Sequence, residues 1–149
     1  MTTTFIDYRE DIGFWIEEIY MEIVFEYIDQ SLETYNGNIS FREDLDFDLN
    51  FNTTGLSKGM LTLTWDSFLN YNYENEQTMI SILESTKDFL TSKGQLINSD
   101  ELNILEKKKE SEMIWKKSLK ISEVLKIIDA LILMLKNEWQ ETNYDMKID

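Results

Sequence analysis

Neither cysteine, histidine nor proline occurs anywhere in the 149 residues of this chain. Without cysteine there is no disulfide framework and no thiolate nucleophile. Without histidine the commonest general base, the usual transition-metal ligand and the usual pH switch all drop out together. The longest apolar run, Ala130 to Leu135, is far short of the roughly 20 residues that span a bilayer. The opening Met-Thr-Thr-Thr-Phe-Ile-Asp-Tyr-Arg-Glu has neither a basic n-region nor an apolar h-region, so a cytoplasmic protein is expected. Gly-rich phosphate loops, Gly-x-Ser-x-Gly and Walker motifs are missing as well, which leaves no catalytic or cofactor motif and points away from an enzyme.

Basic residues are scarce: 14 Lys and Arg stand against 29 Asp and Glu, a net charge of −15. The imbalance is segregated. Residues 1–90 hold 18 acidic and 4 basic side chains, a net of −14, whereas residues 91–149 hold 11 and 10, a net of −1. Such a distribution marks an electrostatic face and argues against nucleic acid or an anionic membrane as partner. Hydrophobic content of 42% with 13% aromatics supplies a core in spite of the charge, and one domain spanning 1–149 is expected. No repeat, low-complexity tract or linker interrupts it.

The sequence periodicity predicts an α+β fold: a long N-terminal helix, an antiparallel β-hairpin, then two or three helices packed on it. Over residues 5–35, Tyr8, Ile12, Trp15 or Ile16, Ile19, Ile23 and Tyr27 recur at helical spacing, giving one helix or two broken near Gly13, with Thr4 as N-cap. Residues 41–51 read Phe-Arg-Glu-Asp-Leu-Asp-Phe-Asp-Leu-Asn-Phe, with Leu45, Phe47, Leu49 and Phe51 alternating with Asp44, Asp46, Asp48 and Asn50. Strict period-2 alternation predicts a strand whose wet face is a row of carboxylates about 6.6 Å apart. Met60 to Trp65 alternates again, so the two runs read as a hairpin with a long loop. Residues 66–73 fit either a third strand or an irregular connection. A helix from about Asn75 ends at Gly94, and Asn98-Ser99-Asp100-Glu101 has the form of a cap for the next. Residues 99–141 fit one helix or two. Residues 124–139 are apolar on more than one side and belong at the centre of the core, and the polar tail from Thr142 is expected to fray.

Asp44-x-Asp46-x-Asp48 matches the opening of a calcium-binding EF-hand loop, but the sixth position is Leu49 and the twelfth Gly55, where a sharp turn needs glycine and the ion needs a bidentate glutamate. No metal and no cofactor is therefore expected. Lys107, Lys108, Lys109, Lys116, Lys117 and Lys120 read as internal neutralisers of the chain's own glutamates rather than a nucleic-acid patch.

The expected binding face is Asp44, Asp46 and Asp48, extended by Glu18, Glu22 and Glu26 of the first helix, with Tyr71 and Tyr73 as anchors because tyrosine is enriched at interfaces. Its partner would be a basic protein. In length, acidity, lack of catalytic residues and mixed helix–hairpin order, the chain is similar to the small cytosolic immunity proteins that bacteria make against their own secreted toxins. That likeness is of character, and no residue roles carry over from it. It implies a stoichiometric inhibitor. Two alternatives stand beside it: a phage-type nucleic-acid mimic that blocks a DNA-binding defence protein, with carboxylates in place of phosphates, and a structural or adaptor domain whose acidity serves solubility alone.

Overall fold

The computed structural model describes residues 2–149. The fold is α+β, and the described residues form a hairpin, five long helices and one short one. The order begins with strands: β1 (Thr3–Arg9) and β2 (Ile12–Glu17) form the antiparallel hairpin, and α1 (Glu18–Leu32) follows directly. The one helix, or two broken near Gly13, expected over 5–35 is thus a hairpin joined to a helix, and Thr4 is a strand residue rather than an N-cap. Thr4, Ile6 and Tyr8 point inward on β1, as do Phe14 and Ile16 on β2, a period of two that the helical spacing of the same apolar residues concealed. The turn bends through Asp11, which adopts φ 66° and donates its backbone N–H to the Asp7 carboxylate, the local bonding that lets aspartate occupy the left-handed region. Gly13 sits where the strands touch: a Cβ there would lie 1.8 Å from the Ile6 carbonyl oxygen. Its role is close backbone approach beside the register shift between Asp7 and Arg9.

Residues 41–51 form no strand. Phe41 precedes α2 (Arg42–Thr53), which holds the rest of them, and the hairpin expected over 44–65 is absent. Leu45, Asp48, Leu49, Asn52 and Thr53 are buried, at helical spacing, while Phe47 is 74% exposed. The sequence Leu-x-Phe-x-Leu-x-Phe satisfies both periods, because it contains two i, i+4 pairs, 45/49 and 47/51. A strand would gather all four on one face; the helix buries one pair and leaves the other at the surface. Asp and Asn are poor strand residues, and Glu43 and Asp44 in the first turn favour the positive end of a helix. The segment 60–65 does bury Leu61, Leu63 and Trp65 in alternation, yet it pairs with no strand. Its main chain is held instead by side chains of the hairpin and α1.

α3 (Asp66–Leu69) is one turn and resolves residues 66–73 as a helical connection. It ends in the left-handed residues Asn70 and Tyr71. α4 (Tyr73–Ser92) begins at Asn72, whose side chain accepts the N–H of Asn75, and stops before Gly94 at φ 110°, as the sequence indicates. The chain then forms β3 (Leu96–Ile97), α5 (Ser99–Lys108), capped by Asn98 on the N–H of Glu101, and β4 (Leu119–Lys120) paired with β3. Residues 99–141 therefore hold two helices, α5 and α6 (Ile121–Leu135), separated by an irregular segment that Asn103 clamps through both the N–H and the carbonyl of Trp115. α6 is the central helix expected within residues 124–139, although it ends at Leu135 and leaves 136–139 outside: Val124, Ile127, Ile128, Leu131, Ile132 and Leu135 are buried against α1, α4 and β1. The tail is docked rather than frayed. β5 (Tyr144–Asp145) runs parallel to β2, and Met146 is buried with its N–H on the Trp15 carbonyl. Among the described residues no helix is long and apolar enough to cross a membrane.

Candidate partner-binding face

The acidic residues divide into those the fold consumes and those it leaves outside. Glu18, the first residue of α1, is buried, and its carboxylate accepts the backbone N–H groups of Gly59 (2.9 Å) and Leu61 (3.2 Å). It therefore ties the 59–61 segment to α1, supplying acceptors that a strand partner would otherwise give. Glu22 and Glu26 face α5. Lys109, itself buried, reaches Glu22 at 3.3 Å and Glu106 at 2.7 Å, while Lys108 reaches Glu26 at 2.7 Å. Burial raises the Glu22 pKa, and Lys109 pulls it back. Two glutamates of the α1 stripe, Glu22 and Glu26, thus meet Lys109 and Lys108 at the end of α5, the neutralising role expected of the lysine run. Lys107, Lys116, Lys117 and Lys120 are exposed.

Asp48 is 6% exposed. Its carboxylate accepts from the Thr64 hydroxyl (3.1 Å), the indole N–H of Trp65 (3.3 Å) and the Asn52 amide (3.2 Å). Burial raises its pKa, and these three donors hold the rise in check. Asp48 fixes Trp65, a fully buried side chain, against α2. The carboxylate row expected at strand spacing does not exist, because residues 44, 46 and 48 leave a helix at successive angles of about 200°.

Asp44 and Asp46 do face solvent, as does Glu43. Arg42 bonds Asp46 at 2.9 Å in an exposed i, i+4 pair, which screens it weakly. Glu43 and Asp44 make no ion pair among the described residues. Burial raises the pKa of Asp29 near the end of α1, and Glu26, Asp46 and Glu33 add to the rise against Lys108. Asp46 therefore lies near enough to Asp29 for their charges to interact, while Glu43 and Asp44 stand on the exposed side of α2. Phe47 projects from it, and Phe51 lies half-buried four residues on. With Asp44, Thr64, Ser67 and Phe68 they line a groove of about 260 Å³ whose floor is Asp48. A larger groove of about 470 Å³ lies between the end of α4 and the start of α6, lined by Gly94, Gln95, Leu96, Lys120 and Leu125. It has no acidic side chain and belongs to a different surface.

The two tyrosines separate. Tyr71 is 53% exposed, but its ring packs on Tyr8 at 5.0 Å and its hydroxyl donates to the Tyr8 carbonyl. Those contacts hold its φ of 55°, a conformation that costs a bulky residue of order 1–2 kcal/mol. Tyr71 is thus a brace for the hairpin. Tyr73, 72% exposed at the start of α4, is free of such work.

Of the eight side chains singled out in the sequence, Asp44 and Tyr73 stand free at the surface, Asp46 stands there paired with Arg42, Tyr71 is shared, and Glu18, Glu22, Glu26 and Asp48 are bonded within the fold. Phe47 is the residue the sequence reading missed. Its helical signal was the pair 47/51, out of phase with the buried 45/49. No group of three or more acidic side chains among the described residues is arranged to hold a metal ion. Comparison with protein-family models, with curated proteins and with solved structures finds no match.

Proposed function

We propose that this protein is a non-enzymatic, stoichiometric binding protein that covers a basic protein partner with the outer face of α2, in the manner of an immunity protein neutralising a toxin. The observation that supports the reading is the division of the acids. The fold matches Glu22, Glu26 and Glu106 with lysines, at 2.7 to 3.3 Å, and leaves Glu43 and Asp44 uncompensated beside an exposed phenylalanine. Like charges on one surface cost stability, so a face kept acidic where pairing is available elsewhere fits recognition better than solubility. Long-range attraction to a basic partner speeds encounter, and a desolvated aromatic supplies the residence time that charge alone does not. The nucleic-acid mimic loses its main support, since the carboxylates have no phosphate-like row.

The test is capture from a lysate of the source cell on immobilised protein at low salt, with salt-gradient elution, beside the triple variant Glu43→Lys, Asp44→Lys, Asp46→Lys. A basic protein retained by the wild type, released by salt and lost in the variant supports the reading. Retention of the same partner by the folded variant overturns it.

A further inference from the structure

The groove between α2 and α3 narrows what the partner must offer. At about 260 Å³ it falls below the roughly 300–1,000 Å³ of sites that enclose small molecules, and its size suits a single large side chain. Its walls are Phe47, Phe51 and Phe68, and Phe68 is itself fixed by packing on Phe41 at 5.6 Å. The polar groups on its floor are already committed: Asp48 accepts from Thr64, Trp65 and Asn52, so an entering group meets rings rather than free donors. Its rim is acidic. Asp44 lines the groove, Glu43 lies one turn from Phe47 on the same side of α2, and Asp66 opens α3 next to Ser67 and Phe68. No lysine or arginine lines it.

We propose, resting on the acidic-face reading above, that this groove receives one large aliphatic or aromatic side chain of the partner, carried on a segment whose flanking residues are lysine or arginine. The apolar side chain enters between Phe47 and Phe68, and the flanking cations meet Asp44 and Glu43. A symmetric α2-on-α2 contact with a second copy fits poorly, because both surfaces bring the same negative charge.

The test uses the full-length protein and a fluorescein-labelled peptide with one central leucine between lysines, followed by anisotropy at physiological salt. Two control peptides replace the leucine with alanine or the lysines with glutamate. The leucine–lysine peptide should bind, and each control should bind at least about fivefold more weakly. Phe47→Ala, a change at an exposed position that leaves folding intact, should weaken the leucine peptide by a similar factor. It should have little effect on the alanine peptide, the non-additivity expected of groups in contact. Equal binding of the leucine and alanine peptides, or indifference to Phe47→Ala, overturns the inference. So does concentration-dependent dimerisation that Phe47→Ala abolishes, which would make a second copy the occupant. If the peptide ignores Phe47 while the triple charge reversal still abolishes capture of a basic partner, the groove inference fails and the acidic-face reading survives.

Discussion

Asp46 and Asp48 look equivalent in the sequence and are opposite in the structure, and alanine at each position separates them. Asp46→Ala removes one exposed i, i+4 contact with Arg42, worth about 0.3–0.5 kcal/mol. Asp48→Ala removes the acceptor for three donors. Thr64 is exposed and turns to water. Asn52 keeps its second bond, from Nδ2 to the Asp48 main-chain carbonyl. Trp65, fully buried, has no substitute, and an orphaned buried N–H costs about 1–3 kcal/mol. The lost bonds to Asn52 and Thr64 add to this, while release of a buried carboxylate subtracts. The net is about 1.5–3 kcal/mol, or about 4–9 °C in melting temperature for a chain of this size. Urea titration at neutral pH, followed by tryptophan fluorescence and circular dichroism, measures both variants. An Asp48→Ala variant within about 0.5 kcal/mol of wild type, or an Asp46→Ala variant equally destabilised, would refute the reasoning.

Other expectations follow from the same structure. Because burial raises Asp48's folded pKa above its ordinary 3.8, a proton-linked part of the stability is fully present below that value and is lost as pH rises through the folded value, in addition to the hydrogen bonds the carboxylate keeps at neutral pH. An Asp48→Asn variant should lack that component in melts across the acid range. Lys109→Met leaves the buried Glu106 and the half-buried Glu22 without their cation and should cost about 3 kcal/mol by urea titration. Gly13→Ala places a methyl 1.8 Å from the Ile6 carbonyl, so the β1–β2 register must shift; loss of soluble expression, or a melting temperature depressed by more than for any exposed α2 variant, is expected.

The sequence was most legible where one residue type performs one local task. Asn98 capping α5 and Gly94 closing α4 needed only the geometry of a helix end, and the apolar density of 124–139 required a central helix whatever surrounded it. It was least legible where two periods coexist. The run 44–51 fits a strand by alternation and a helix by its i, i+4 pairs, and what settles it is the set of donors on Thr64 and Trp65 waiting for Asp48. The N-terminal residues mislead in the opposite direction, since Tyr8, Ile12, Ile16 and Ile19 suit a helix until Gly13 is seen to lie against the Ile6 carbonyl. Both errors have one cause: long-range partners choose between local patterns of similar strength. The same partners decided the site. Nothing in the sequence separates Glu26 from Asp44, because the lysine that engages Glu26 lies 82 residues away.

The claim that the outer face of α2 steers a basic partner is tested most directly by the association rate of the captured partner, measured by stopped flow, with wild type and with Asp44→Lys, Asp46→Lys. At low salt the double variant should associate about tenfold more slowly. The difference should shrink near 0.5 M salt, where the screening length falls to roughly 4 Å. Equal rates for the two folded proteins at low salt would contradict it.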